Sequence, residues 1–169
     1  MKKCLSLLCA FLFFCFIGSV AAHAALLYDG KYHITHFDRY ISAPSLRYGT
    51  QLALSYSTSA TVWELRHLGN DEYSIRVKNA AMDSSGGKRY DGVPIIVHGY
   101  HGGKNQRWKI RRSGKFFSII NVKTGLALDV PGNSNRVGNR LQGYPANNSP
   151  AQQFGLYRLN RGGIIDSLF

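Results

Sequence analysis

Two aspartates stand the same distance ahead of two aromatic residues in this chain. Asp83 precedes Trp108 by 25 residues, and Asp129 precedes Phe154 by 25. In both intervals a glutamine lies two residues before the aromatic, in Gln106-Arg107-Trp108 and Gln152-Gln153-Phe154. A loop carboxylate has two chemical uses. It can cap its own turn by accepting from backbone amides, or it can accept from hydroxyl groups of a ligand. Residue type and spacing leave both open for Asp83 and Asp129. The aromatic that ends each interval reads as a core residue, because burying such a ring is worth a few kcal/mol. The glutamine beside it is placed to bond loop backbone and hold a turn.

A second chemical feature is charge. Between Lys104 and Lys115 there are six cations and no acid: Lys104, Arg107, Lys109, Arg111, Arg112 and Lys115. A strand through this segment turns Trp108 and Ile110 inward and lines Arg107, Lys109 and Arg111 along one exposed face. Such a face is either a solvated surface or an attractor of polyanions such as sulfated glycans, lipopolysaccharide or anionic lipid. No helix suited to the major groove and no nucleic-acid motif is visible, so nucleic acid is not an expected partner.

Other chemistries are missing. A glycosidase needs two carboxyls facing one another across a bond, and Asp83 and Asp129 fall in different repeats. Glu64 and Glu72 suggest no such pair. There is no nucleophile elbow, phosphate loop or metal motif. His33 and His36 are three residues apart, as are His98 and His101. On a strand that spacing points the rings to opposite faces, so no shared metal is expected. Asn147-Asn148-Ser149 forms a glycosylation sequon, but Pro150 directly after it disfavours use.

The elements that must position these residues are short and extended. The sequence has 169 residues, 44% hydrophobic and 18% charged, with 18 glycines and a formal charge of +12. Runs such as Tyr73-Ser74-Ile75-Arg76-Val77 and Phe117 to Val122 alternate with a period of two, and Gly, Asn and Ser turns separate them. Gly92 and Gly138 each stand nine residues past their aspartate, and a strand follows each, at Val93 to Val97 and at Arg140 to Gln142. The first third keeps the same plan in altered form. Ile41-Ser42 stands for Met82-Asp83 and Leu128-Asp129, Tyr48-Gly49 for the later glycine turns, and Thr61-Val62-Trp63 for the closing element. Trp63, Trp108 and Phe154 lie 45 and 46 residues apart. Three units of about four strands each predict a closed, all-β, pseudo-threefold barrel with hairpin caps.

All three cysteines, Cys4, Cys9 and Cys15, lie in a basic-then-apolar leader. Lys2 and Lys3 precede an apolar run that is too short to span a bilayer, and Ala22-His23-Ala24 supplies a small-x-small cleavage site. The expectation is a signal peptide over 1–24, cleaved for export, and a secreted or periplasmic product. The mature chain would carry no cysteine and a charge of +10, so packing and hydrogen bonds alone must stabilise it.

The Gln-x-aromatic closing elements and the Leu128-Asp129-Val130 start resemble the ricin B-type (R-type) lectin β-trefoil family. The resemblance runs from about Leu27 to Asn160 and implies a domain over 25–160, with repeats at about 28–70, 71–114 and 115–159 and a tail at 161–169. It departs from the family in lacking the stapling cysteines, and in Ser42, Thr61 and Phe154. What it implies is a non-enzymatic, cofactor-free, exported carbohydrate-binding protein. In the third repeat Asp129, Gln142, Tyr144 and Gln152 match the sugar-site pattern. Ala151 stands where the family has Asn, and Asn147 or Asn148 is close enough to substitute.

In the second repeat Asp83, Asn105 and Gln106 match, while Ile96 replaces the polar strand residue and His98, with Tyr100 close by, replaces the stacking ring. This is a weaker or altered site. The first repeat, with Ser42 and Thr61, is structural. The resemblance further implies glycan partners of galactose type, and allows a role as the targeting subunit of a toxin or hydrolase beside a partner subunit. A protein-binding trefoil whose sugar sites have decayed, and a polyanion or membrane-surface binder using Lys104, Arg107, Lys109, Arg111 and Arg112, are the alternatives. The apolar tail residues Ile164, Ile165, Leu168 and Phe169 either pack on the barrel or dock a partner.

Overall fold

The computed structural model describes residues 27–160 and 165–167. The expected leader lies outside the described residues. Among the described residues no helix is long and apolar enough to cross a membrane.

Twelve strands fall into three groups of four. The first is β1 Gly30–His36, β2 Arg39–Ser42, β3 Ala53–Ser55 and β4 Trp63–His67. The second is β5 Glu72–Val77, β6 Ala80–Ser84, β7 Val93–Gly99 and β8 Trp108–Ser113. The third is β9 Phe116–Asn121, β10 Ala127–Asp129, β11 Gln142–Tyr144 and β12 Gly155–Leu159. The outer strands of each group close an antiparallel barrel in the order β1-β4-β5-β8-β9-β12-β1. The inner pairs β2–β3, β6–β7 and β10–β11 form three hairpins that cap it. The fold is a β-trefoil.

Cross-strand aromatic pairs seal the barrel. Tyr32 lies opposite Trp63, Tyr73 opposite Trp108, and Phe117 opposite Phe154. All six rings are buried. Two residues further along the same strands lies a second buried layer, in which Ile34 is opposite Leu156, Ile75 opposite Leu65 and Ile119 opposite Ile110. The two tryptophans also donate: Trp63 Nε1–H to the Ile41 carbonyl at 2.8 Å, and Trp108 Nε1–H to that of Met82 at 3.0 Å. Phe154 has no donor to offer.

The hairpin caps are joined by a cyclic set of backbone hydrogen bonds. Leu52 N–H donates to Ile95 O (2.8 Å), Ile95 N–H to Leu141 O (3.2 Å), and Leu141 N–H to Leu52 O (2.9 Å). Three residues before each of these stands a glycine with positive φ, at Gly49 (91°), Gly92 (85°) and Gly138 (84°). Each glycine N–H donates onward to the next hairpin, to Val97 O, Gly143 O and Leu54 O respectively. A side chain at these positions is strained whatever space surrounds it, which is why the turn glycine recurs. In the tail, a short strand β13 (Ile165–Ser167) pairs antiparallel with β12, so this stretch of backbone extends the sheet.

The closing ring and its bond separate in a pair of variants. Trp108→Phe keeps an aromatic but orphans the Met82 carbonyl, and about 1–3 kcal/mol of loss in urea unfolding is expected. Trp108→Ala also leaves a cavity and is expected to cost about 3–5 kcal/mol. Losses below about 0.5 kcal/mol in both would show that the ring does not close the repeat.

Candidate functional site

The third hairpin sets a carboxylate under a shallow cleft. In the β10–β11 register Asp129 faces Gln142, and Ala127 faces Tyr144. Asp129 is only 5% exposed, and both its oxygens are engaged. Oδ1 accepts from Gln142 Nε2 at 2.8 Å, and Oδ2 from Gln152 Nε2 at 3.1 Å. Gln152 in turn ties down the loop ahead of it: Nε2 donates to Pro145 O at 3.0 Å, and Oε1 accepts Asn147 N–H at 2.9 Å. Each carboxylate oxygen keeps a further lone-pair direction for a hydroxyl donor. Tyr144, 37% exposed, stands at the edge of a cleft of about 420 Å³ lined also by Asn133, Asn147 and Ser149.

Asp129, Gln142, Tyr144 and Gln152 are therefore brought together. Asn147 lines this cleft and Asn148 does not, because Asn148 sits at a positive-φ turn (56°) with its carbonyl accepting from Gln153. Asn133 was not anticipated. The signal for it was the Pro131-Gly132-Asn133 turn, which folds back over the start of the hairpin.

The second hairpin keeps the clamp and changes what stands around it. Gln106 Oε1 accepts the His101 and Gly102 N–H groups at 2.8 and 3.2 Å, while Nε2 donates to Gly99 O at 2.9 Å. Gln106 Nε2 and Asn105 Nδ2 both donate to Asp83 Oδ2, at 2.9 and 2.8 Å. Ile96 faces Asp83 in the β6–β7 register, where the third repeat has Gln142. His98 occupies the place of Tyr144, with the ring of Tyr48, from the first repeat, stacked on it at 5.4 Å. Tyr100 is covered on one face by the Arg76 guanidinium, 3.7 Å from its ring centroid. That leaves it poorly placed to stack on a ligand there.

His98 and His101 do not diverge as strand spacing predicts. The strand β7 ends at Gly99, so His101 lies in the following loop and turns back towards His98. Their ring centroids are 6.1 Å apart.

The first hairpin builds its version from hydroxyls. Ser42 Oγ pairs with Ser55 Oγ at 2.7 Å and accepts Thr61 N–H at 3.0 Å. Thr61 Oγ1 accepts Ala43 N–H at 2.9 Å. The loop is held, but no carboxylate is present.

The basic face acquires acids from its neighbours. Trp108 and Ile110 point inward as expected. Arg107, however, donates through Nε to Gly102 O at 2.8 Å and reaches Glu72 at 3.4 Å. Glu72 also lies opposite Lys109 across β5–β8. The exposed cations of this segment are Lys104, Arg111, Arg112 and Lys115; Arg111 and Arg112 lie beside Lys109 and Asp71 in a second cleft of about 390 Å³.

Comparison with known proteins adds a family match over part of the chain. Residues 104–165 match the ricin-type β-trefoil lectin domain-like family. The chain resembles the ricin-type β-trefoil lectins. A designed threefold-symmetric protein, ThreeFoil, superposes with a TM-score of 0.72 at 24% identity, covering 76% of this chain and 98% of its own. The Polyporus squamosus lectin bound to the human-type influenza-binding epitope Neu5Aca2-6Galb1-4GlcNAc gives 0.70 at 20% identity, over 80% of this chain and 51% of that one. A mosquitocidal holotoxin gives 0.74 at 15% identity, over 82% of this chain and 18% of the toxin. This chain thus spans about half of the lectin and a fifth of the toxin. No curated protein matches it.

Two imidazoles lie outside these clefts, His36 buried and His33 half-buried. Burial pushes His33 and His36 below the ordinary histidine value of 6.5; for His36 the Gln153 carbonyl and the Asp129 carboxylate oppose the shift. His36 Nδ1 lies 3.3 Å from Gln153 O, and its Nε2 has no partner among the described residues. The unfolded chain therefore gains protons that the fold resists. Stability is full above pH 6.5 and is lost as pH falls through the lowered folded values. Urea midpoints measured on either side of pH 6.5 should fall with pH, and less steeply in His36→Leu. An unchanged slope in that variant would assign the effect to other groups.

Proposed function

We propose that this protein binds carbohydrate through the third repeat, as a non-catalytic recognition module. The observation that carries the reading is the Asp129 carboxylate, buried and held at both oxygens by glutamine amides under a cleft edged by Tyr144. A carboxylate fixed in this way can accept from neighbouring sugar hydroxyls without further ordering, and an exposed ring covers the apolar face of a pyranose. The match over residues 104–165 supports the same reading, since it spans the third repeat. Hexoses of galactose type are the expected ligands.

A single shallow cleft gives weak affinity for one sugar, so useful binding comes from several sites acting together. Self-association, or carriage by a partner subunit such as a toxin component, supplies that multiplicity. Export through the leader places the protein outside the cytoplasm, where glycans are met. Lys104, Arg111 and Arg112 favour glycans with acidic groups through long-range attraction.

A glycan array with wild type beside Asp129→Ala and Tyr144→Ala, at low and high salt, tests this. Selective binding of a few related glycans is expected, tolerant of salt and weakened about ten-fold or more in both variants. Binding confined to sulfated or sialylated glycans, indifferent to the variants and lost in salt, would move recognition to the basic face. No binding by folded protein would leave a trefoil scaffold with a protein partner.

A further inference from the structure

We propose that Asp83, His98 and His101 form a binding site for a divalent transition cation of the zinc class. One ligand atom from each residue lies within 4.8 Å of the other two. Two imidazoles and a carboxylate are the donor set such cations take, and three protein ligands leave a position open for water or another ligand. The inference stands on this cluster and is independent of the carbohydrate reading.

The surroundings orient each ligand. Asp83 is 2% exposed and is fixed by the Asn105 and Gln106 amides on Oδ2. His98 has Nδ1 at 3.4 Å from Gly99 O, so Nδ1–H donates there and the Nε2 lone pair is available. A ligating histidine is commonly oriented by such a carbonyl. The Tyr48 ring, inclined by 28°, stacks on the imidazole. A Cβ on Gly99 would stand 3.0 Å from that Tyr48 ring, and one on Gly103 only 2.7 Å from His101. The two glycines leave room for the arrangement.

His101 Nε2 is 3.8 Å from Asp83 Oδ2, while Nδ1 accepts the Gly103 N–H at 3.2 Å. When a cation binds Nε2, the proton there is lost and one is taken up at Nδ1. The imidazole stays neutral, and the Gly103 N–H turns to solvent. Metal–nitrogen bonds of about 2.0–2.1 Å require the ligand atoms to close in by roughly 1 Å, a rotation open to two exposed rings. The neighbouring guanidinium groups are engaged elsewhere, Arg76 over Tyr100 and Arg107 with Gly102 O and Glu72. A donor set with one carboxylate and two imidazoles disfavours hard cations, which want several carboxylates.

Calorimetric titration with Zn²⁺ tests the site, using the full chain with Cys4→Ser, Cys9→Ser and Cys15→Ser so that no thiolate competes. Saturable one-to-one binding is expected. It should weaken about 10- to 100-fold in His98→Gln and in His101→Gln, and persist in His67→Gln, a histidine of β4. Co²⁺ should give a visible absorption band that both cluster variants lose. Both rings are exposed, so melting temperatures report that the variants fold. Absence of saturable binding, or binding that both cluster variants retain, would overturn the proposal.

Discussion

Six rings hold this molecule in place of covalent staples. In each repeat an aromatic near the start of the first barrel strand lies against the aromatic at the start of the last, and no cysteine occurs beyond residue 15. These contacts are made twice over, once as apolar burial and once, at the two tryptophans, as an indole N–H bond. The bond is aimed at the carbonyl just ahead of the loop residue that distinguishes each repeat, Ser42 or Asp83. Core and recognition loop are thus one mechanical unit. Disturbing the ring shifts the residue whose chemistry matters.

On top of that frame sits a clamp repeated with changes. A glutamine grips the loop backbone with its oxygen and the aspartate with its nitrogen, in the second and third repeats alike. The clamp explains how the Asp129 carboxylate can be almost fully buried, since a glutamine amide donates to each of its oxygens. It also frees the rest of each loop to diverge. The third repeat spends that freedom on Tyr144 and an amide-lined cleft, the second on histidines, and the first on hydroxyls that only hold the turn.

The barrel, the threefold plan and the closing aromatics were legible in the residue order, because they rest on periodicity and on spacings near 45 residues. Burial alternates along strands with a period of two, so inward and outward faces can be assigned without coordinates. The site was legible in part. Asp129, Gln142, Tyr144 and Gln152 lie at fixed offsets within one hairpin, where register follows from sequence separation. Asn133 was missed because a turn of positive-φ residues, not a strand, carries it into the cleft.

Contacts between repeats had no such rule to expose them. Tyr48 reaches His98 from another repeat, Arg76 covers Tyr100, and Glu72 neutralises part of a segment that is purely cationic as read along the chain. The turn after Gly99, which brings His101 back to His98 and Asp83, likewise depends on where a strand stops. Local patterns settle which face a side chain takes, since that depends on near neighbours in sequence. Which distant groups share that face depends on how three separate repeats close around one axis, and chain order does not encode those distances directly.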